Sequence, residues 1–215
     1  MVSEPEVQRR VIYDANSIIY YCFMHEEKIR GKTVTFRVMG LTHKIRSLTE
    51  QFLADGVEIE TISGVMDEIF VKGIAKIVDE FCDDYHTKDL IGLPRKARIS
   101  SRIRLRLARK TEEKIKRLQN KAWFRVIDYH AGEKEIERVK NFYVSLSGTA
   151  NMVEHMKKKR TRTPYPSDVD MVLLIYSKET EAPIVTNDSD LTVFKEELES
   201  KGLCFGIIEP HAHGE

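Results

Sequence analysis

Six acids stand in this chain where a fold could gather them into a cation site. Asp14 ends the run R-V-I-Y-D-A-N-S, and Glu68 lies in V-M-D-E-I. Asp168 and Asp170 open the apolar stretch S-D-V-D-M-V-L-L, while Asp188 and Asp190 close I-V-T-N-D-S-D-L. Carboxylates without cysteine or histidine at ligand spacing suit a hard divalent cation such as Mg²⁺ or Mn²⁺. Two such ions can clamp an in-line phosphodiester displacement, one activating water and one steadying the leaving oxygen. Each cluster also has an ordinary structural reading. Asp14 can cap a helix or make an Asx turn, and Glu68 can pair with Lys72 at i+4. Ser167 and Asp170 fit a capping box, and residues 186–190 make a plain turn. The set argues for more than any member does. Capping acids crowded on one sheet edge without a cation would repel and raise one another's pKa.

The elements predicted around them bring the acids to one edge. Residues 10–13 read as a buried strand running straight into a helix over 18–25. A helical stripe follows over 35–54 (Val38, Leu41, Ile45, Leu48, Phe52), then a strand over 57–62. Ser63 offers an N-cap for a helix through Val65, Ile69, Ile74, Ile77 and Phe81. Within it Glu68 lies between the apolar anchors Val65 and Ile69, whereas Asp67 points about 100° away. Residues 124–129 return to strand character, and helices follow over 133–145 and 151–158. Next come the helix opened by Ser167, a strand over 183–186, a helix over 191–201 and a last strand over 203–208. Alternation of this kind predicts an α/β fold, a parallel central sheet sandwiched by helices. In such sheets functional groups gather at the strand carboxyl ends and helix starts.

Charge is distributed unevenly. Residues 95–121 carry twelve Lys or Arg and two Glu, net +10, in a chain of net charge +1. An acidic body with one basic segment points to a polyanionic partner. A helix over 97–122 would be roughly 35–40 Å long. Its apolar stripe (Ile99, Ile103, Leu107, Ile115, Leu118, Ala122) is narrow, so it is expected to project or to pack on a partner. The expected division is a nuclease-like domain over 1–84 and 124–215 with an inserted basic helical segment over 85–123. Trp123 and Phe124 read as core residues at the root of the insertion, with base stacking by Trp123 as the alternative.

With 41% hydrophobic and 32% charged residues, the composition fits a folded domain with a heavily charged surface. No apolar run reaches membrane-spanning length, and the first residues are polar, so neither a membrane span nor a signal peptide is expected. Three cysteines, far apart and without C-x-x-C, exclude a zinc ribbon and a disulfide framework. They favour a reducing, cytoplasmic setting. The histidines lack ligand spacing; His211 and His213 fall in a terminal tail.

In order, V-I-Y-D-A-N-S, V-M-D-E-I, S-D-V-D-M-V-L-L and I-V-T-N-D-S-D-L resemble the four signature blocks of PIN domains, Mg²⁺/Mn²⁺-dependent ribonucleases. The resemblance puts Asp14, Glu68, Asp170 and Asp188 on the acidic metal positions and Asn16, Ser167, Thr186 and Asp190 on supporting ones. Asp168 stays beside Asp170 as an alternative third acid. A basic helical insertion before the third strand makes the chain most similar to the HARP family, small protein-only ribonucleases P also described as RNA ligase partners. That likeness implies endonucleolytic removal of the 5′ leader of precursor tRNA, leaving a 5′-phosphate. It also implies a large homo-oligomer built through the inserted helices. Arg95, Arg98, Arg102, Arg104, Arg106, Arg109 and Lys110 are the candidates for the RNA backbone, which needs cations at intervals and no base code. Lys157, Lys158, Lys159 and Arg160, just upstream of the Asp168 helix, could hold phosphates near the cut. Two alternatives stand beside this reading: a toxin-like or general PIN endoribonuclease, and a non-catalytic RNA-binding assembly protein whose acids are structural caps.

Overall fold

Short β-branched runs supply the sheet. In the computed structural model, which describes residues 9–29, 31–38, 40–72, 74–83, 99–159 and 163–210, five strands pair in parallel. These are β1 (Arg10–Tyr13), β4 (Glu58–Ile62), β5 (Phe124–Ile127), β6 (Ile184–Val185) and β7 (Ile207–Ile208). Their order is β5-β4-β1-β6-β7, with Val11 opposite Ile59 and Tyr13 opposite Val185. The chain builds outwards from β1 through β4 to β5, then restarts on the other side with β6 and β7. The switch point therefore lies between β1 and β6, where α/β sheets leave a crevice at their carboxyl ends. Ile12, Ile59, Ile62 and Ile184 are fully buried, as strands covered on both faces require.

Helices flank the sheet: α1 (Ala15–Cys22), α2 (Leu41–Ala54), α3 (Ser63–Lys72), α4 (Ile74–Asp83), α5 (Ser101–Gln119), α6 (Glu133–Ser145), α7 (Ala150–Lys159), α8 (Asp168–Thr180), α9 (Ser189–Thr192) and α10 (Lys195–Ser200). The expected α/β architecture with a parallel sheet is what the structure shows. Among the described residues no helix is long and apolar enough to cross a membrane.

Several boundaries differ. The first helix ends at Cys22, and the second starts at Leu41 rather than 35. Between them β2 (Met24–Ile29) and β3 (Lys32–Arg37) form an antiparallel hairpin turning at Gly31, whose φ of +79° favours glycine. The T-V-T-F segment belongs to this hairpin because its alternation buries Val34 and Phe36, a period of two rather than 3.6. The helix expected over 63–81 is two helices, α3 ending at Lys72 and α4 starting at Ile74. The helix expected over 191–201 is the short pair α9 and α10.

The basic helix is the main correction. Over its described part it is 19 residues, about 28 Å at 1.5 Å per residue, and it does not project. It packs on α4 and α1 and against β2 and β5. Ile99, Leu107, Ile115 and Leu118 join the same core as the sheet, so the stripe expected to serve self-association is covered within the chain. The hairpin helps to hold it. Glu27 on β2, its side chain only 4% exposed, accepts from Arg106 Nη1 at 2.8 Å and Lys110 Nζ at 2.6 Å. His25 Nε2 meets Thr111 Oγ1 at 2.8 Å, buried. Arg104 lies 3.6 Å from Asp79 and donates to the Ile99 carbonyl. Three of the expected RNA contacts (Arg104, Arg106, Lys110) thus have part of their charge answered inside the molecule. Arg102 and Arg109 are exposed. Arg95, Arg98 and Arg160 lie outside the described residues, as does all of the expected insertion before Ile99.

Candidate metal centre

β1 delivers Asp14 to the switch point as the N-cap of α1, and there the side chain is 4% exposed. Its Oδ1 accepts from the Ser17 backbone amide at 2.6 Å, and its Oδ2 accepts from the Thr186 hydroxyl. Thr186 follows the neighbouring strand β6 and also receives the Asp188 amide at 2.9 Å. Ser17 Oγ donates to the Val185 carbonyl at 2.7 Å, tying the start of α1 to the end of β6. Asp14 and the Asp188 loop are therefore held in one register by the strand pairing beneath them.

Asp170 arrives from α8. Ser167 caps that helix and the pair forms a full capping box: the Asp170 amide donates to Ser167 Oγ at 3.2 Å. Asp170 Oδ2 accepts from the Ser167 hydroxyl at 2.7 Å and amide at 3.2 Å. The capping reading and the ligand reading are thus compatible. The box orients a carboxylate that faces the cavity with the other acids. Asp168, two residues earlier on the helix, does not: its side chain is 79% exposed and lies 3.5 Å from Lys140 Nζ on α6. A separation of about 200° on the helix explains the split. Of the two acids left open by the sequence, Asp170 belongs to the site.

Asp14, Glu68, Asp170, Asp188 and Asp190 line one cavity of about 390 Å³, with Asn16, Ser167 and Lys159 on its wall. Glu68 reaches it from α3, whose Gly64 faces Val169 of α8; Asp67 is exposed, as expected. Burial pushes Asp14 up to about 6, against the downward pull of the Thr186 and Ser17 hydrogen bonds, with Asp188 adding repulsion. Burial likewise pushes Asp170 up to about 7, with Asp188, Glu68 and Asp14 adding to it and Ser167 opposing. Burial is thus the main cause of both shifts, and repulsion among the acids adds to it.

Three of these acids can hold one cation. Asp170, Asp188 and Asp190 each offer a carboxylate oxygen within 4.8 Å of the others. The donors are all oxygen, which fits a hard divalent ion and not a thiolate-preferring one. Asp190, expected as a supporting residue, is thus one of three candidate ligands.

Two partners of the acids, Lys159 on the cavity wall and His155 behind Asp190, were not read as such from the sequence. Lys159 Nζ stands 3.0 Å from Asp188 Oδ1 and 2.5 Å from Asp190 Oδ2. Burial works to lower its pKa, but the hydrogen bonds and charges of Asp190 and Asp188 prevail and raise it. Lys159 is an internal counter-charge on two of the three candidate ligands. His155, 7% exposed, lies 2.6 Å from Asp190 Oδ1 and packs edge-on against Phe194. The signal was present: Met152, His155 and Lys159 share one face of α7 at i, i+3 and i+7, and the first two are buried. Lys157 and Lys158 are exposed, and Lys158 pairs with Glu154 at 2.7 Å. No family model, curated protein or solved structure matches the chain.

Proposed function

We propose that this chain is a Mg²⁺- or Mn²⁺-dependent endoribonuclease of PIN type that removes the 5′ leader of precursor tRNA. The observation that carries the enzymatic part is the convergence of five carboxylates from the start of α1, from α3 and α8, and from the β6–α9 turn and first turn of α9 on one cavity at the switch point. Structural caps alone do not require this. Caps serve the helices they begin, whereas Asp14 and Asp170 remain together at the cost of raised pKa values. The tRNA specificity rests on the resemblance of the four acidic blocks and the basic helix to the HARP family.

A divalent ion held by Asp170, Asp188 and Asp190 would polarise the scissile phosphate and lower the pKa of water. The chain's own residues do the rest. Thr186 keeps Asp14 oriented, and the capping box keeps Asp170 oriented, so neither must reorganise during the reaction. Lys159, drawn off Asp188 and Asp190, presents an ammonium to the phosphate. Water adds to phosphorus, the bond to the 3′-oxygen of the leader breaks, and that oxygen takes the proton. The products are a 5′-phosphate and a 3′-hydroxyl.

One observation favours a less specific endoribonuclease as the second reading: the described part of the basic helix folds back on the body instead of forming a separate arm. End-labelled precursor tRNA incubated with Mg²⁺ decides between them. The leading proposal expects one leader fragment ending at the mature 5′ end, lost in Asp14→Asn and Asp170→Asn but retained in Asp168→Asn. Cuts scattered through loops support the second reading. Equal cutting by wild type and both Asn variants sinks both.

A further inference from the structure

A second cavity mirrors the first with the opposite sign. About 200 Å³ in volume, it lies where the last turn of α1 meets the C-terminal half of α5. Four cations converge on it from three segments: Arg46 from α2, Lys114 and Arg117 from α5, and Lys121 from the turn into β5. Its aromatic wall is Tyr21 and Trp123, their rings edge-to-face at 6.0 Å and 79°. The Arg46 guanidinium lies 5.4 Å from the Tyr21 ring centroid.

A solvated basic helix face would look different. Lys114 is half-buried and donates inwards to the Met24 carbonyl, and Arg46 reaches the cavity from a different helix. Lys114 is held below the ordinary lysine range by burial first, then by Arg46, with Lys110 and Arg117 adding and Cys22 opposing. Among the described residues the carboxylates nearby are few. Glu113 is 3.9 Å from Arg117, and Glu50 acts on Tyr21. Cations gathered with so little answering charge make an anion site. The volume is below the ~300–1,000 Å³ of pockets for drug-sized ligands, leaving room for a phosphate and an adjoining ring. Phosphate beside an aromatic wall is the chemistry of a single-stranded nucleic-acid subsite.

We propose that this cavity grips one backbone phosphate of an RNA strand among Arg46, Lys114, Arg117 and Lys121, with the attached base against Trp123. The inference rests on the ribonuclease reading above for its choice of RNA. It adds a holding point at the opposite end of α1 from the acids. From Asp14 to Cys22 the helix rises about 12 Å, so one strand can reach both.

Trp123 is the only tryptophan in the chain, so its fluorescence reports the cavity directly. A short single-stranded RNA oligonucleotide, titrated with EDTA present to prevent cutting, should quench it saturably. In the exposed pair Arg117→Gln/Lys121→Gln, RNA affinity should fall about tenfold. The slope of log affinity against log salt should shrink by no more than about 0.7, the value for one neutralised phosphate of a single strand. The same variant should raise KM for precursor tRNA and leave kcat alone, with an unchanged unfolding temperature. Unchanged Trp123 emission, or equal quenching of wild type and variant, overturns the proposal. So does inorganic phosphate or polyglutamate that saturates the signal as tightly as RNA. Quenching by RNA without any leader release would leave this subsite standing and remove the nuclease reading. Leader release with an unquenched Trp123 and an unchanged variant KM would do the reverse.

Discussion

At the residue scale, Asp14 and Asp170 keep protons that free aspartate would lose. Their folded values, about 6 and about 7, lie above the ordinary 3.8. Between pH 4 and 7 the folded chain therefore binds more protons than the unfolded one, and the contribution of these groups to stability falls as pH rises. With EDTA present, this pair should make the protein less stable to urea at pH 7.5 than at pH 5. Asp14→Asn/Asp170→Asn should flatten that difference. A divalent ion should reverse the trend, raising the unfolding temperature at pH 7.5 and doing little at pH 5, where Asp14 and Asp170 hold protons. An Asp14→Asn/Asp170→Asn protein with the wild-type pH profile would contradict the assignment. The alternation of carboxylates with apolar runs made Asp14, Glu68, Asp170 and Asp188 readable from the sequence. Lys159 was legible only as a phosphate-holding cation and His155 not at all, because their pairing with Asp190 joins residues 31 and 35 positions apart in the chain.

At the element scale, two local devices carry the site and the basic helix. Ser167 caps α8 and also orients Asp170, so Ser167→Ala should cost about 1 kcal/mol in urea unfolding. It should lower leader cleavage by more than that loss of stability explains. On the other side of the molecule, Glu27 anchors α5 through Arg106 and Lys110. Both cations reach solvent, so Glu27→Gln should cost only about 1–2 kcal/mol. Arg106→Gln alone should cost less, since Lys110 still answers the buried acid. The hairpin that carries Glu27 escaped the sequence reading for a physical reason. M-H-E-E-K-I buries His25 and Glu27 rather than apolar residues, so hydrophobic periodicity has nothing to register. Its cue was the glycine at position 31, where the φ of +79° makes the turn.

At the scale of the whole molecule, the parallel sheet and its switch point were readable because apolar runs alternate with helical stripes from Arg10 to Ile208. The packing of α5 was not, because a narrow stripe on a charged helix fits a partner or its own body equally well. Here Leu107, Ile115 and Leu118 meet the core of the same chain. Assembly through that stripe is thus replaced by a narrower expectation. Should the chain form the large homo-oligomer that the HARP resemblance implies, native mass spectrometry will show it, and the contact will use surface other than these three residues. A homo-oligomer disrupted by Leu107→Ala while the monomer stays folded would restore the original reading.

The central claim is that Asp170, Asp188 and Asp190 hold a divalent cation in the cavity they share with Asp14 and Glu68, and calorimetric titration with Mn²⁺ at pH 7.5 tests it most directly. Wild type and Asp168→Asn should bind at least one ion each with equal affinity, and Asp170→Asn/Asp188→Asn should bind none in the same range. Wild type that takes up no Mn²⁺, or an Asp170→Asn/Asp188→Asn protein that binds as wild type does, would contradict the account.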